Sequence, residues 1–523
     1  MKEVSLKVIE KRFYFIAMLF TILIAVCDPI AASPGNNAKL LHDVKKHIIQ
    51  LVADGKVPSI TVAVARYGKI IWEEGFGMAN REKNIPATQH TAYALGSISK
   101  PLTATALLVL KERGLVNLYS PINNYLGRSK VRAQVGDATG ATLFRVASHT
   151  SGLPLHGQHF YDGELYHPPP IDESIHRYGN LITAPGERYQ YSNLGYGLLG
   201  YVISRLSGKS YSDFMRDEVF EPLGMDHTSV HLGPGLEKGQ AVKYTADGIV
   251  VPPYDSDSPG STAIYSSAHD LIRFGMFHLK NNLPDQKAII TANSIDLMHQ
   301  SNPETGPLRE WEREGSGYGI GWFVGITKGG LRTVHHNGGT VGVSTVLALV
   351  PKENLAVTVL SNTNSKWPDV ILMEILGKIL PDILNGLPDT TSKSSNERRF
   401  MPSPALAGLW KGFVYTYEGR IPLALEIQES GNVYATLGNL SRALLQNVSY
   451  RNNFPLFLNS GGGVFLRGSM QRKFDTADVS RGNPYKLWLE LKLRDNMLNG
   501  SLIAFSQRKF YSGPLTHWVE MTK

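Results

Sequence analysis

Apolar positions change period several times along the first part of the chain. Leu40, Leu41, Val44, Ile48, Ile49 and Val52 recur every three or four residues, which predicts a helix over 40–53. Two β-branched runs at 59–65 and 69–76, joined at Tyr67-Gly68, predict a hairpin. Leu102, Ala106, Leu107 and Leu110 then make one helical face that stops at Arg113-Gly114. Strand-like runs return at 333–335, 341–350 and 355–360 around Asn337-Gly338-Gly339, and a helix is predicted over 370–384. Strands at both ends of this stretch can pair. The pattern over 38–385 is therefore that of an α/β (α+β) domain with an antiparallel sheet flanked by helices.

A stretch rich in Gly, Pro, Ser and Thr at 386–404 reads as a linker. Beyond it, apolar runs at 409–414, 423–427, 433–437, 464–466, 487–493, 498–505 and 517–521 alternate with Gly and Asn turns. This predicts an all-β domain over 405–523, a sandwich or small barrel. Trp410, Trp488 and Trp518 alternate with polar neighbours and are expected to face its core.

At the start of the chain Lys2, Lys7, Lys11 and Arg12 precede an apolar run over 13–27, shorter than the roughly 20 residues of a spanning helix. Asp28-Pro29-Ile30-Ala31-Ala32-Ser33 follows. Residues 1–32 read as a secretory signal peptide cut after Ala32, or as an uncleaved N-terminal membrane anchor. Either places the folded part outside the cytoplasm, in a periplasm-like compartment.

Composition narrows the chemistry. The 523 residues are 42% hydrophobic and 19% charged, enough to bury a large core. The net charge of +8 is spread without a run of five basic residues, so no nucleic-acid partner is expected. Cys27 is the sole cysteine, which excludes an internal disulfide and thiolate metal clusters. There is no HExxH, and Ile203 stands where a phosphate loop ending in Gly208-Lys209-Ser210 needs glycine. No metal and no cofactor are expected.

Three short motifs carry the candidate chemistry. Ser97-Ile98-Ser99-Lys100, with Pro101 next, opens the predicted helix, and one helical turn puts Lys100 on the same side as Ser97. An ammonium group held against a hydroxyl is one way to activate serine without histidine. Ser506 and Lys509 repeat the spacing in a β-like stretch and read as surface residues. The second motif is Tyr191-Ser192-Asn193; Tyr178–Asn180 and Tyr450–Asn452 repeat its form. The third is His336-Asn337-Gly338-Gly339 beside a predicted strand, with His231-Leu232-Gly233 a chance hit.

Ser-x-x-Lys, Tyr-x-Asn and His-x-Gly in this order resemble the serine β-lactamase and penicillin-binding-protein superfamily. The similarity is to the branch of class C β-lactamases, D-alanyl-D-alanine carboxypeptidases, D-aminopeptidases and family VIII esterases. It extends to 63–79, Ser148-His149-Thr150-Ser151-Gly152-Leu153-Pro154, Pro222-Leu223-Gly224-Met225 and 265–274. The trailing β domain resembles the lipocalin-like domain that follows some such hydrolases. The resemblance implies an exported serine hydrolase in which Ser97 forms an acyl-enzyme and Lys100 and Tyr191 share the base role. Their mutual packing is expected to lower both pKa values. The N–H groups of Ser97 and Gly339 would form the oxyanion hole. Asn193 would hold Lys100 and the substrate, and His336, Asn337 and Gly338 would complete the substrate-binding strand, with His336 donating to substrate or to Tyr191.

Where β-lactamases of this branch carry lysine, His336 offers a mostly neutral imidazole. The substrate expected is therefore a small ester or a short D-amino-acid peptide or amide. The alternative is a β-lactamase or a slowly deacylating penicillin-binding envelope protein. His149 is expected to brace a loop turn, His335 to face away from His336, and Tyr189 to line the pocket beside Tyr191. The β domain is expected to cap the cleft or to stand as a tethered module.

Overall fold

The computed structural model describes residues 40–232, 236, 239–308, 313–327, 329–383, 400–450, 466–474, 480–510 and 512–523. Residues 1–32 and most of the 386–404 linker lie outside the described residues. Among the described residues no helix is long and apolar enough to cross a membrane.

Helix α1 (His42–Ala53) leads into strands β1 (Ser59–Arg66) and β2 (Lys69–Asn80). Tyr67 and Gly68 both have positive φ, 49° and 75°, the two-residue turn whose twist matches a hairpin. A short edge strand β3 (Ile85–Pro86) follows. The rest of this sheet comes from far along the chain: β4 (Gly317–Tyr318), β5 (Phe323–Ile326), β6 (Arg332–Thr340), β7 (Val343–Val350) and β8 (Leu355–Ser361). The spatial order is β4-β5-β6-β7-β8-β1-β2-β3, antiparallel throughout, and Ile60 pairs with Ser361 at the join of the two halves. The expected sheet is thus present.

Residues 59–65 of β1 are buried without alternation, because helices cover both faces of the sheet. α2 (Ser99–Glu112) is buried from Ser99 to Leu110 and forms the centre of the helical layer. α3 (Asn193–Ser207) packs against it. α4 (Ala268–His278) lies on β7 and β8, where a Cβ on Gly275 would come within 3.2 Å of Ala356 and Leu349. α5 (Trp367–Ile379) covers the sheet's other face beside α1, with His47 Nδ1 2.8 Å from Glu374 Oε1. It is shorter than the 370–384 helix expected, since Pro381 cannot continue it.

Among the described residues the C-terminal domain is one nine-stranded antiparallel sheet: β9 (Gly408–Thr416), β10 (Gly419–Ile427), β11 (Val433–Leu437), β12 (Ala443–Leu444), β13 (Gln446–Tyr450), β14 (Leu466–Arg472), β15 (Tyr485–Arg494), β16 (Met497–Ser506) and β17 (Pro514–Thr522). The order is β12-β11-β10-β9-β17-β16-β15-β14-β13. Its two edge strands, β12 and β13, are separated by Leu445 alone. The sheet therefore curls until its edges meet, a nearly closed barrel. Trp410 and Trp518 are buried as expected, but Trp488 is half-buried. Tyr485, Leu487, Leu489 and Leu491 occupy the inward face of β15, and strand alternation turns Trp488 outward against Phe505.

The barrel is docked on the hydrolase-like part. Gly157 N–H donates to the Pro514 carbonyl at 3.2 Å and His159 N–H to the Ser512 carbonyl at 3.0 Å.

Two glycines test this account. Gly68 has positive φ with open space around it, whereas a Cβ on Gly77, also at positive φ, would overlap the Pro58 carbonyl. Gly68→Ala is expected to cost about 1–2 kcal/mol, the positive-φ penalty alone. Gly77→Ala should cost clearly more, read from urea unfolding midpoints at equal m.

Candidate active site

Ser97 lies in a 3-10 turn, Gly96–Ile98, that runs directly into α2. Gly96 has φ +55°, and a Cβ on it would stand 2.9 Å from the Gly339 backbone nitrogen, so only glycine lets this turn approach β6 so closely. Lys100 follows in the first turn of α2 and is wholly buried. Its Nζ donates to Ser97 Oγ at 3.1 Å and to the Ser261 carbonyl at 3.1 Å. The faces of Tyr191 and Tyr196 lie 4.8 and 5.7 Å from it. Among the described residues no carboxylate pairs with it. Burial therefore holds its pKa well below the ordinary lysine value.

Tyr191 also hydrogen-bonds Ser97, but burial raises its pKa well above the usual phenol value. The expectation that packing lowers both pKa values holds for Lys100 and fails for Tyr191.

Tyr189 to Ser192 form no regular secondary structure, so contacts from outside the segment place them. Gln190 N–H donates to the His149 carbonyl at 2.7 Å, Ser192 N–H to His149 Nδ1 at 3.1 Å, and Ser192 Oγ to the Pro154 carbonyl at 2.7 Å. Ser192 Oγ also caps α3 by accepting from Gly195 N–H at 2.9 Å. His149 braces this turn as expected, at φ +59°. It also stacks on Tyr191, with ring centroids 4.3 Å apart, which the sequence did not reveal. Burial and the nearby Lys100 keep it neutral. Tyr189 is buried beside Tyr191, its ring centroid 6.5 Å away.

Asn193 differs from expectation. It does not bond Lys100, whose second partner is the Ser261 carbonyl. Its Oδ1 is buried without a hydrogen-bond partner.

On β6, alternation sets the outcome. His336 and Gly338 face inward; His335 and Asn337 face the other way. His335 stacks on Phe323, as expected. Asn337 Nδ2 donates to Asp369 Oδ1 on α5, so its side chain ties a helix to the sheet and does not line the site. His336 Nδ1 donates to the Asn337 carbonyl at 2.7 Å, which leaves Nε2 to accept from Tyr318 Oη at 3.0 Å. The ring is buried and its pKa is held well below the usual value, first by burial and then by Lys100. It therefore neither donates to Tyr191 nor presents a free N–H. Gly338 is required because a Cβ would overlap the Leu95 carbonyl, while a Cβ on Gly339 would meet nothing within 4 Å. The Gly339 nitrogen thus lies beside the Ser97 turn with open space in front of its Cα.

The site so assembled is a serine hydroxyl between a desolvated amine and a phenol, with the Gly339 strand alongside. Ser506, by contrast, donates to the Gly482 carbonyl, and Lys509 is exposed. Tyr196, Ser261 and Tyr318 went unnoticed in the sequence. Tyr196 lies on the first turns of α3, five residues after Tyr191, and so had a local signal. Ser261 and Tyr318 meet Lys100 and His336 only through the fold. Among the described residues no group of three His, Cys, Asp or Glu side chains is arranged to hold a metal ion.

Comparison with known proteins places this geometry. The Beta-lactamase family model matches residues 44–376. Protein flp of Staphylococcus aureus (strain MRSA252) is 25% identical over 340 residues, 62% of this chain and 62% of that protein. The chain thus spans about three fifths of the length of the curated relatives it matches. Unguisins hydrolase ungD' of Aspergillus campestris is 29% identical over 333 residues, 59% of each protein. Among solved structures, the octameric penicillin-binding protein homologue from Pyrococcus abyssi superposes with a TM-score of 0.57 at 23% identity, over 92% of this chain and 99% of that one. SurE with D-Leu gives 0.60 at 19%, over 91% and 100%. Matched by the family model over more than half of its length and folded like these proteins, the chain belongs to the Beta-lactamase family of serine hydrolases.

Proposed function

We propose that the protein hydrolyses small esters, or amides and short peptides bearing D-amino acids, through an acyl-enzyme on Ser97. The observation that carries this reading is the buried Lys100 amine, 3.1 Å from Ser97 Oγ and without a carboxylate partner among the described residues. A neutral amine has a lone pair, so Lys100 takes the proton as Ser97 Oγ attacks the substrate carbonyl. Tyr191, a phenol at rest that bonds the same hydroxyl, gives its proton to the leaving group and is reprotonated by Lys100, which leaves both groups as they began. The N–H groups of Ser97 and Gly339 receive the oxyanion, each worth roughly 10²–10³ in rate. Asn193, with its buried Oδ1 unsatisfied, accepts a hydrogen bond from a substrate amide. Water then attacks the acyl group with the same base, which returns Ser97 as a free hydroxyl.

Substrate class follows from His336. A neutral imidazole whose nitrogens are engaged by Asn337 and Tyr318 supplies no fixed cation for an antibiotic carboxylate. Efficient β-lactam hydrolysis is therefore the weaker reading. Two similar proteins, Unguisins hydrolase ungD' and SurE with D-Leu, are named for a hydrolysis and for a D-amino acid, which supports this reading. The basic and apolar 1–32 segment supports action outside the cytoplasm.

Labelling by a fluorescent phosphonate and hydrolysis of p-nitrophenyl butyrate are expected for the wild type and absent in Ser97→Ala; equal rates for the two would sink the assignment. Lys100→Ala should slow acylation by roughly 10²–10⁴-fold, while Lys509→Ala should leave it unchanged.

The pH profile separates the two bases. Protonated Lys100 cannot accept the serine proton, so acylation should rise with pH through the depressed lysine pKa and then level, well below the ordinary lysine range. Tyr191→Phe should lower the plateau and leave the rise in place. Disappearance of the rise in that variant would transfer the base role to Tyr191.

On a panel of short p-nitrophenyl esters, D-amino-acid p-nitroanilides and nitrocefin, kcat/KM should be lowest for nitrocefin. Nitrocefin as the best substrate would reverse the ranking.

A further inference from the structure

The barrel touches the hydrolase domain where the Tyr191 segment needs support. That segment lacks regular structure, and the contacts described so far, from His149 and Pro154, hold one side of it. The other side is held by charged groups of the barrel. Arg188, three residues before Tyr191, has its side chain 3% exposed, and its Nη1 lies 3.1 Å from Glu490 Oε1 on β15. Arg467 Nη2 donates to the same Glu490 oxygen at 2.8 Å from β14, and these two side chains are 7% and 8% exposed. The neighbouring Glu187 accepts from Lys492 Nζ at 2.7 Å and from Arg494 Nη2 at 2.9 Å.

A second set of contacts reaches the same corner from below. Thr516 Oγ1 donates to the Leu155 carbonyl, and Gly157 N–H to the Pro514 carbonyl at 3.2 Å. Gly513, at φ +103°, has no room for a Cβ beside the Gly157 carbonyl. The loop so fixed carries the Pro154 carbonyl that anchors Ser192. It also carries Gly157, where a Cβ would stand 3.5 Å from Asn193 Nδ2.

We propose that the barrel is a positioning element of the hydrolase site, in which Glu490 acting through Arg188 and Thr516 acting through Leu155 hold Tyr191 and Asn193 in register with Ser97 and Lys100. The inference rests on the roles given to those four residues above. A module that merely shares a tether has a more polar, less buried interface. Buried charge clusters add little net stability compared with apolar packing, and their best-attested use is to fix register. Neither Arg188 nor Glu490 is assigned contact with substrate; they act through the backbone of 188–193.

The test uses full-length protein. Glu490→Gln leaves Arg188 and Arg467 without their shared carboxylate. It should lower kcat for p-nitrophenyl butyrate and the phosphonate labelling rate by about 10- to 100-fold, the cost of misplacing a reacting group by an ångström or less. KM should move by less than about threefold, because the effect falls on orientation and not on ground-state binding. Arg188→Lys, which keeps the charge, should retain more activity than Arg188→Met. Thr516→Val removes one hydroxyl without changing volume much and should act in the same direction; it decides the matter if Glu490→Gln does not fold. Arg442→Ala, which breaks the exposed pair with Glu426 on another part of the barrel, is the control and should change nothing.

Wild-type kcat in folded Glu490→Gln and Thr516→Val would overturn the inference. So would a loss that only tracks a fall in melting temperature, with no recovery in Arg188→Lys. Both outcomes leave the Ser97 reading intact, because that reading stands or falls on wild type against Ser97→Ala.

Discussion

Lys100 sits where water does not reach, in the first turn of a helix buried along most of its length, and among the described residues no carboxylate offsets its charge. Much of the chemistry depends on this one desolvated amine. Burial lowers its pKa well below the ordinary lysine value, the direction the proposed base role needs. Burial in the same place keeps Tyr191 a phenol. Lys100 also adds to the burial that keeps His149 and His336 neutral, since any fractional positive charge nearby opposes theirs. On the proposed mechanism, charge develops during reaction beside N–H donors already in place.

Backbone proximity makes that arrangement reachable. The Ser97 turn lies against β6 at a distance that excludes even a methyl group at Gly96 and Gly338. The candidate nucleophile comes from the helical layer and the candidate oxyanion donor from the sheet, so the site lies on the seam between the two layers. Tyr191 belongs to neither and enters on an irregular segment. A group borne on a loop is as well placed as the surfaces around it, which is why the buried ions under Arg188 have a bearing on the chemistry.

Much of this was legible in the chain. Helix periodicity located α1 and α2, and Tyr67-Gly68 between two β-branched runs marked the first hairpin. Ser97 and Lys100 stood out because a helix start fixes their mutual geometry locally. Two departures obey the same local rule. Period-two alternation, applied correctly to His335, also turns Asn337 away from His336, and it turns Trp488 away from Leu487 and Leu489. The remaining misses were not local. Ser261 replaces Asn193 as the partner of Lys100, and Tyr318 engages His336, across sequence separations that no spacing rule covers. The direction of the Tyr191 shift depends on how completely the phenol itself is buried, which only packing decides.

The order of strands has a consequence for how the chain is made. β1 and β2 are synthesised first, yet the neighbour of β1 on its other side is β8, with Ile60 opposite Ser361. Until β8 emerges from the ribosome, the apolar hairpin has an open edge and no way to complete the sheet at the centre of the domain. Long-range pairing of this kind is slow, because loop closure is incurred before the contacts that offset it. The edge of β1 thus stays unpaired until β8 is made, an open edge of the kind that can template pairing with other chains.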